Sequence, residues 1–196
     1  MFAQNYKKLD VAMRELIALA LMLLISGVSH AKQEEIRTGL SVNEYNDLAQ
    51  KYMERPTFVM VRGKPGKQEL VVTYTPYGGV SFTGDDYATF YVKYADEYLQ
   101  SISKYLEWAE QATANGDAFD KEIGTVPSIF GMKLKFEFHS GNARSHYLAI
   151  TLCALGSCAA GKPMYFDIEG ARELSALITR LKAGELPGAD VGARYN

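Results

Sequence analysis

The chain has 196 residues, with 21 Lys and Arg against 23 Asp and Glu, for a formal net charge of −2 at pH 7. This balance argues against nucleic acid as a partner, because proteins that bind polyanions usually carry a basic excess. The length predicts one domain that is large enough for a proper hydrophobic core.

The most specific feature of the sequence is the apolar run from Leu16 to Val28, which a basic segment precedes. Small residues at positions 29 and 31 complete the layout of a secretory signal peptide, so we predict a signal peptide over residues 1–31 and cleavage after Ala31. The run of 13 residues is short for a membrane span, which needs about 20. A buried amphipathic helix is a further alternative, but such a helix would show a polar face. Translation can start at Met1 or at Met13.

Cleavage would release a periplasmic or secreted protein without a stable membrane anchor. We predict a single α+β domain over residues 32–186 and a flexible C-terminal tail over residues 187–196.

The first half of this domain is predicted to contain two helices around three strands. Ser41 and Glu44 have the spacing of a capping box, which favours a helix directly after them. β-rich segments between Gly and Pro turns then predict strands, and a long series of aromatic residues at i+3 and i+4 steps predicts a second helix. The predicted elements are a helix over 42–54, strands over 57–62, 69–75 and 80–83, and a helix over 85–114.

The second half repeats this plan with strands over 132–139, 146–153 and 163–168, followed by a helix over 169–183. The pattern of Phe82, Tyr87, Phe90 and Tyr94 recurs 84 residues later. We therefore predict two three-strand-plus-helix halves that form an antiparallel sheet with helices packed on one face, preceded by one N-terminal helix. Two smaller sheets would explain the pattern almost as well.

Cys153 and Cys158 are the only cysteines, and they lie in one predicted turn. In an exported protein we expect a disulfide between them, which stabilises the fold by about 2 kcal/mol because the closed loop is short. The C-x4-C spacing is not that of a redox C-x-x-C motif, and no second pair is present for a zinc site.

His139 and His146 are the only histidines after residue 31, and they flank a predicted turn at residues 141–143. They face each other if the turn is centred between Asn142 and Ala143. If it is centred on Asn142, His146 pairs with Phe138 and apolar residues pair along the whole hairpin, which is the criterion that sets register. The second register favours two surface histidines, and two ligands are one short of a catalytic zinc site. His139 and His146 are therefore weak catalytic candidates, and we predict no metal and no cofactor.

The chain contains 13 tyrosines and one tryptophan. The long predicted helix and the turn before it carry more aromatic residues than one buried stripe requires. Because a tyrosine ring buries area while its hydroxyl stays hydrated, some of them are expected to form an exposed binding surface. The predicted binding surface consists of Tyr77, Tyr91, Tyr98 and Tyr105.

The sequence contains no nucleophile-elbow, zinc-protease, phosphate-loop or dinucleotide motif. We therefore expect an exported, non-enzymatic binding protein that acts on a protein or peptide partner, such as an inhibitor, an adaptor or an immunity-type protein. A homodimer and a monomer are both open alternatives. Two alternatives stay open. One is a small envelope hydrolase that uses His139 or His146, and the other is a carrier that encloses a small apolar ligand.

Overall fold

The structure is a computed structural model, and the residues that it describes, all of which follow position 32, belong to one compact unit. The predicted signal peptide, the predicted strand over 80–83 and residues 188–196 of the predicted tail lie outside the residues that the structure describes. The described ranges are 33–64, 66–77, 87–128, 131–154, 157–158 and 162–187.

These ranges contain ten strands and two α-helices, α1 (Ala95–Asn115) and α2 (Ile168–Ala183). A single 3-10 turn, Val92–Tyr94, leads into α1. The strands are β1 (Gln33–Ile36), β2 (Val42–Asn46), β3 (Lys51–Arg55), β4 (Thr57–Arg62), β5 (Glu69–Tyr74), β6 (Tyr87–Tyr91), β7 (Asp120–Pro127), β8 (Lys133–Asn142), β9 (Ser145–Cys153) and β10 (Met164–Phe166).

The strands form two antiparallel sheets in place of the predicted arrangement. One has four strands in the order β1-β4-β5-β6, and the other has six in the order β3-β2-β10-β9-β8-β7. The predicted fold class is therefore wrong in its layout, although the chain does combine sheets with helices. The predicted strands of the first half that the structure describes, β4 and β5, lie in the four-stranded sheet, and the predicted strands of the second half, β8, β9 and β10, lie in the six-stranded sheet.

The predicted N-terminal helix over 42–54 is wrong, because these residues form the β2–β3 hairpin. Leu48, which a helix stripe would bury, is 98% exposed at the turn. The Asn46 side chain accepts a hydrogen bond from the Ala49 amide, and Gln50 adopts a positive φ of 51°, which together close the turn. The capping-box Glu44 pairs with Arg55 of the neighbouring strand instead of the helix backbone.

The long helix begins ten residues later than the predicted start at residue 85. Residues 87–91 are strand β6, in which Phe90 pairs with Leu70 and is fully buried. The predicted offset of 84 residues therefore equates a strand residue, Phe90, with a helix residue, Leu174. At the other end, Gly116 adopts a left-handed φ of 72° and ends α1.

The closing helix α2 begins one residue before its predicted start. The Asp167 carboxylate accepts a hydrogen bond from the Gly170 amide at 2.8 Å, which is an N-cap interaction. Gly184 ends the helix with a φ of 72°. The sequence predicts the bounds of this helix to within one residue because both capping residues lie directly beside its apolar stripe.

Aromatic and aliphatic side chains of α1 pack on one face of the six-stranded sheet. The rings of Tyr98 and Phe136 lie 6.0 Å apart, and those of Tyr105 and Phe138 lie 5.9 Å apart. All four side chains are fully buried, and burying a side chain of this size stabilises a fold by about 1.5–3 kcal/mol. We call the opposite face of this sheet its outer face.

Candidate functional site

The β8–β9 hairpin places the two histidines on opposite faces of the six-stranded sheet. His139 lies opposite Tyr147, and His146 lies opposite Ser140. Both predicted registers are therefore wrong, although apolar residues do pair with apolar residues, as Phe138 does with Leu148. The observed pairing differs by two residues from the predicted register centred on Asn142, and a shift of two preserves which face each side chain occupies. A bulge between Ser140 and Asn142 shifts the pairing by one further residue next to the turn.

His139 connects a carboxylate to a phenol on the outer face of the sheet. Its Nδ1 lies 2.8 Å from Asp120 Oδ1, and its Nε2 lies 2.6 Å from the Tyr52 hydroxyl. The Asp120 carboxylate can only accept, so in the neutral imidazole Nδ1–H donates to Asp120 and Nε2 accepts from Tyr52. The Ser140 amide also donates to Asp120 Oδ1, at 3.1 Å. This chain fixes the orientation of the imidazole.

Tyr52 stands at the centre of an aromatic group on this outer face, which we call the Tyr52 cluster. The centroid of its ring lies 4.3 Å from that of Tyr147 and 4.9 Å from that of Tyr165. The remaining members, Tyr45 and His139, lie at 5.3 Å and 5.6 Å from it. Tyr52 belongs to β3, so its contacts with His139 of β8, Tyr147 of β9 and Tyr165 of β10 hold the β2–β3 hairpin against the other strands of its sheet.

Burial raises the pKa of the Tyr52 hydroxyl well above its ordinary value, and the neighbouring Tyr165 adds to the shift. Burial also raises the pKa values of Tyr147 and Tyr165. These hydroxyls therefore stay protonated at neutral pH and can donate hydrogen bonds, because a low-dielectric environment disfavours the phenolate.

His146 is buried, with 3% of its surface exposed, so the prediction of a surface histidine is wrong for this residue. Its ring stacks on Phe138 at 5.2 Å, and its Nδ1 lies 3.0 Å from the Ser140 hydroxyl. Among the residues that the structure describes, its Nε2 has no hydrogen-bond partner. Burial lowers the pKa of His146. The two histidines do not form a pair.

The four tyrosines predicted as a binding surface do not lie on one surface. Tyr98 and Tyr105 are fully buried in the core, and their hydroxyls donate to the carbonyls of Pro127 and His146. Tyr77 and Tyr91 are half-buried at separate places. The Arg55 guanidinium covers the Tyr77 ring at 3.8 Å. For Tyr91, burial raises the pKa to about 12, and Glu69 adds to the shift.

The tyrosines that do gather on one surface are those of the Tyr52 cluster. Two of them lie in the segment predicted as a helix, and the other two lie in predicted strands for which no site was predicted. Tyr45 and Tyr52 lie in the segment predicted as a helix over 42–54, but they form a directly opposed cross-strand pair. The two strands carry no clear strand signal of their own, because VNEYN and KYMER do not alternate between apolar and polar residues.

The β2–β3 hairpin carries three of the five large hydrophobic side chains that are exposed in the described part of the chain. Leu48 is 98% exposed at the turn, Tyr45 is 45% exposed and Met53 is 37% exposed. Leu48 occupies the turn itself, and the other two belong to the two strands that lead into it. The hairpin therefore presents apolar area to solvent from its turn and from both strands.

The base of the hairpin is tied to the neighbouring chain segment. The Tyr77 amide donates to Glu44 Oε2 at 2.6 Å, and Arg55 Nε donates to the Thr75 carbonyl at 3.0 Å. Arg55 Nε also lies 3.7 Å from Glu44 Oε2. Together with the packing of Tyr52 on the sheet, these contacts give the hairpin a defined orientation.

The predicted disulfide is confirmed: Cys153 and Cys158 are bonded, and their Cα atoms lie 4.2 Å apart. A local antiparallel bridge between Ala154 and Ser157 brings the two cysteines together. The bond closes the turn that follows β9, next to the start of β10.

Within the described ranges, no group of three or more His, Cys, Asp and Glu side chains is placed around a common metal position. None of the helices in the same ranges combines the length and the hydropathy of a membrane span.

Comparison with known proteins identifies no family. No protein-family model matches the chain, and no curated protein is significantly similar to it. Any functional assignment therefore depends on the chemistry and geometry of the residues themselves.

Proposed function

We propose that this protein is an exported, non-enzymatic binding protein that recognises a protein or peptide partner through its β2–β3 hairpin. The observation that carries this proposal is the exposure of Tyr45, Leu48 and Met53 on one braced element. Tyr45 and Met53 lie on opposite faces of the hairpin, because Tyr45 pairs with Tyr52 and Met53 pairs with Glu44. Leu48 lies in the turn between the two strands, so a partner that receives this turn can contact apolar side chains on either side of it.

Leu48 is the best anchor for a partner because nearly all of its surface is available. Burying a leucine side chain in an apolar pocket contributes about 1.5–3 kcal/mol. The contacts of Glu44 and Arg55 at the base of the hairpin hold the turn in place before binding. A rigid element loses little conformational entropy on binding, so more of this energy is available as affinity.

Both edge strands of the six-stranded sheet disfavour the addition of a partner strand, so recognition by the side chains of the hairpin is the better proposal. The edge strand β3 carries Lys51, Glu54 and Arg55, and it is followed by Pro56. The other edge strand of the same sheet, β7, is interrupted by a bulge between Glu122 and Gly124. Charges, proline and bulges are the features by which natural sheets prevent pairing with further strands.

Export is proposed from the leader, and the disulfide is compatible with it. The leader has the layout of a signal peptide, and the disulfide between Cys153 and Cys158 fits an oxidising compartment.

The hydrolase alternative has one feature in its favour, the chain from Asp120 through His139 to Tyr52. A nucleophile in the last position needs a depressed pKa or easy loss of its proton. The pKa of Tyr52 is raised, so this hydroxyl suits hydrogen-bond donation better than attack on a substrate. His146 is too deeply buried to meet a substrate.

The carrier alternative needs an enclosed apolar pocket. A groove of about 690 Å³ beside α1 is lined in part by the charged side chains of Glu107, Glu110 and Arg172. This lining does not favour a small apolar ligand.

Affinity capture with matched variants tests the proposal. The full chain is tagged at its C-terminus, expressed in its own host and captured from the envelope extract. Leu48→Asp places a charge at the proposed anchor, and Ala176→Asp places the same charge at an exposed position of α2. We expect one partner at stoichiometric yield with the wild type and with Ala176→Asp. Leu48→Asp should reduce this yield at least tenfold, because the charge would have to be desolvated.

Two outcomes would contradict the proposal. If no protein is enriched by the wild type over an untagged control, a stable partner does not exist. If Leu48→Asp captures the same partner as fully as the wild type does, recognition takes place elsewhere on the protein.

A further inference from the structure

A groove crosses the four-stranded sheet on the face that points away from the core. The core face carries buried apolar residues such as Val61, Leu70 and Phe90, which alternate along their strands with the residues that line the groove. The groove spans β4, β5 and β6 and has a volume of about 270 Å³. Pockets for drug-sized ligands measure about 300–1,000 Å³, so this groove suits a smaller molecule.

The middle of the groove has a small, uncharged floor. Val71 and Thr89 pair directly across β5 and β6, and they are 2% and 5% exposed. Met60 pairs with Val71 from the other side, and Tyr87 and Tyr91 flank Thr89 along the same face of β6. All five side chains line the groove. Because the longer side chains surround the two short ones, they form walls around a mostly apolar floor.

The charged side chains of the groove lie together at one end. Arg62 and Glu69 are directly opposed on β4 and β5, and Tyr91 is opposite Glu69 on β6. Directly opposed residues have Cβ atoms about 4.5–5.5 Å apart, so the cationic and the anionic side chain border the same end. Among the described residues that line the groove, these two are the only charged ones. The groove is therefore charged at one end and uncharged from the Val71 row, about 6.6 Å away along the strands, to the other end.

This arrangement favours a ligand that carries both charges. A carboxylate can accept hydrogen bonds from the Arg62 guanidinium, and an ammonium can donate to the Glu69 carboxylate, which gives the stronger, charge-assisted kind of hydrogen bond. A ligand with only one of the two charges would compensate one half-buried side chain and repel the other. Because Arg62 and Glu69 are neighbours, both ligand charges must be attached to one carbon atom, as they are in a free α-amino acid. In a peptide, the terminal charges belong to different residues.

We propose that the groove binds a free α-amino acid with a large apolar side chain. Its α-carboxylate pairs with Arg62 and its α-ammonium pairs with Glu69, and its side chain lies over Val71 toward Tyr87. Hydrogen bonds and apolar contacts hold the ligand, and no covalent bond is formed or broken. The β2–β3 hairpin belongs to the six-stranded sheet, so this site is distinct from the surface proposed above for a protein partner.

Isothermal titration calorimetry of the purified protein tests the site, with L-leucine, L-methionine and L-phenylalanine as the probes. We expect at least one of them to bind at one molecule per chain with a Kd below about 1 mM. The carboxylic acid that lacks the ammonium group of this amino acid should bind about tenfold or more weakly, because Glu69 then has no partner in the ligand. The amine that lacks the carboxylate should lose as much affinity, because Arg62 then has none.

Variants of the charged end and of the floor test the location of the site. Arg62→Gln and Glu69→Gln should each weaken binding about tenfold or more, and Val71→Phe should abolish it by filling the floor while both charges remain. The matched controls are Arg180→Gln and Glu185→Gln, which remove the same charges from exposed positions near the end of α2 and should leave the affinity unchanged. Circular dichroism verifies that each variant is folded. If a variant does not fold, the ligand analogues still test the wild type.

The proposal is overturned if none of the three amino acids binds the folded wild type with a Kd below about 1 mM. It is also overturned if either single-charge analogue binds as tightly as its amino acid, or if the affinity is unchanged in the folded Arg62→Gln and Glu69→Gln variants. None of these results bears on the capture experiment with Leu48→Asp, so the two proposals fail separately.

Discussion

The Tyr105 hydroxyl donates a hydrogen bond to the backbone carbonyl of His146 at 2.8 Å. Both groups are buried, and the bond connects the middle of α1 to the beginning of β9. Tyr105 and His146 are 41 residues apart in the sequence. The contact therefore helps to set how the helix lies on the six-stranded sheet, the sheet whose opposite face carries the Tyr52 cluster.

Removing this hydroxyl should destabilise the fold by a modest amount. Tyr105→Phe keeps the packing of the ring but leaves a buried carbonyl without its donor, which should lower the free energy of unfolding by about 1–2 kcal/mol. Urea unfolding measures the change. Tyr45→Phe, at a residue that is 45% exposed, is the control and should change the value by less than about 0.5 kcal/mol. Equal stability of Tyr105→Phe and the wild type would show that the bond contributes nothing.

Burial of His146 predicts a loss of stability in mild acid. Its pKa in the folded protein lies below the ordinary value of 6.5, so between these two values the unfolded chain binds a proton that the folded chain does not. The free energy of unfolding should therefore fall as the pH decreases below about 6.5, with a slope of at most about 1.4 kcal/mol per pH unit from this group.

The variant His146→Phe separates this contribution from those of other titrating groups. It keeps an aromatic ring beside Phe138 and removes the unpartnered nitrogen. In urea unfolding at pH 7.5 and pH 5.5, the difference between the two pH values should be smaller for His146→Phe than for the wild type. The same pH dependence in both proteins would show that His146 does not titrate differently in the folded and unfolded chains.

The disulfide supplies a prediction on export and one on stability. If the chain is translocated and processed, protein from the envelope fraction should begin at Lys32 and should resist alkylation at Cys153 and Cys158 until it is reduced. The Cys153→Ala/Cys158→Ala variant should unfold with a free energy that is lower by about 2 kcal/mol, since the closed loop is short. Intact-mass analysis after alkylation checks the first point, and urea unfolding checks the second. A full-length cytosolic product with both thiols alkylated would contradict export.

The bounds of α2 and the disulfide could be predicted from the sequence because each depends only on residues that are close together in the chain. The caps of α2, Asp167 and Gly184, adjoin its apolar stripe, and Cys153 and Cys158 share one turn. These features depend on residues that are within a few positions of each other, so spacing alone carries the information.

Segments whose secondary structure depends on contacts with residues far away in the sequence were predicted wrongly. Residues 42–54 carry a helix signal in their spacing, but pairing of β2 with β10 and the contact of Glu44 with Arg55 favour a hairpin. Phe90 fits a helical stripe equally well, yet it pairs with Leu70 in the four-stranded sheet. In both cases tertiary contacts outweigh local propensity.

The outer-face site could not be predicted from the sequence for the same reason. Tyr52 and His139 are 87 residues apart, and they meet only in the assembled six-stranded sheet, to which β3 and β8 both belong. No spacing rule connects residues at such a separation. His139 itself was a weak candidate, and its partners Asp120, Tyr52 and Tyr165 were not identified.

The central claim, recognition of a partner by the β2–β3 hairpin, is tested most directly by site-specific photo-crosslinking in the living host. A photoreactive phenylalanine analogue replaces Leu48 in one strain and the exposed Ala176 of α2 in another. We predict one discrete adduct in the envelope fraction from position 48 and none from position 176. Absence of any adduct at position 48, in protein that accumulates normally, would contradict the claim.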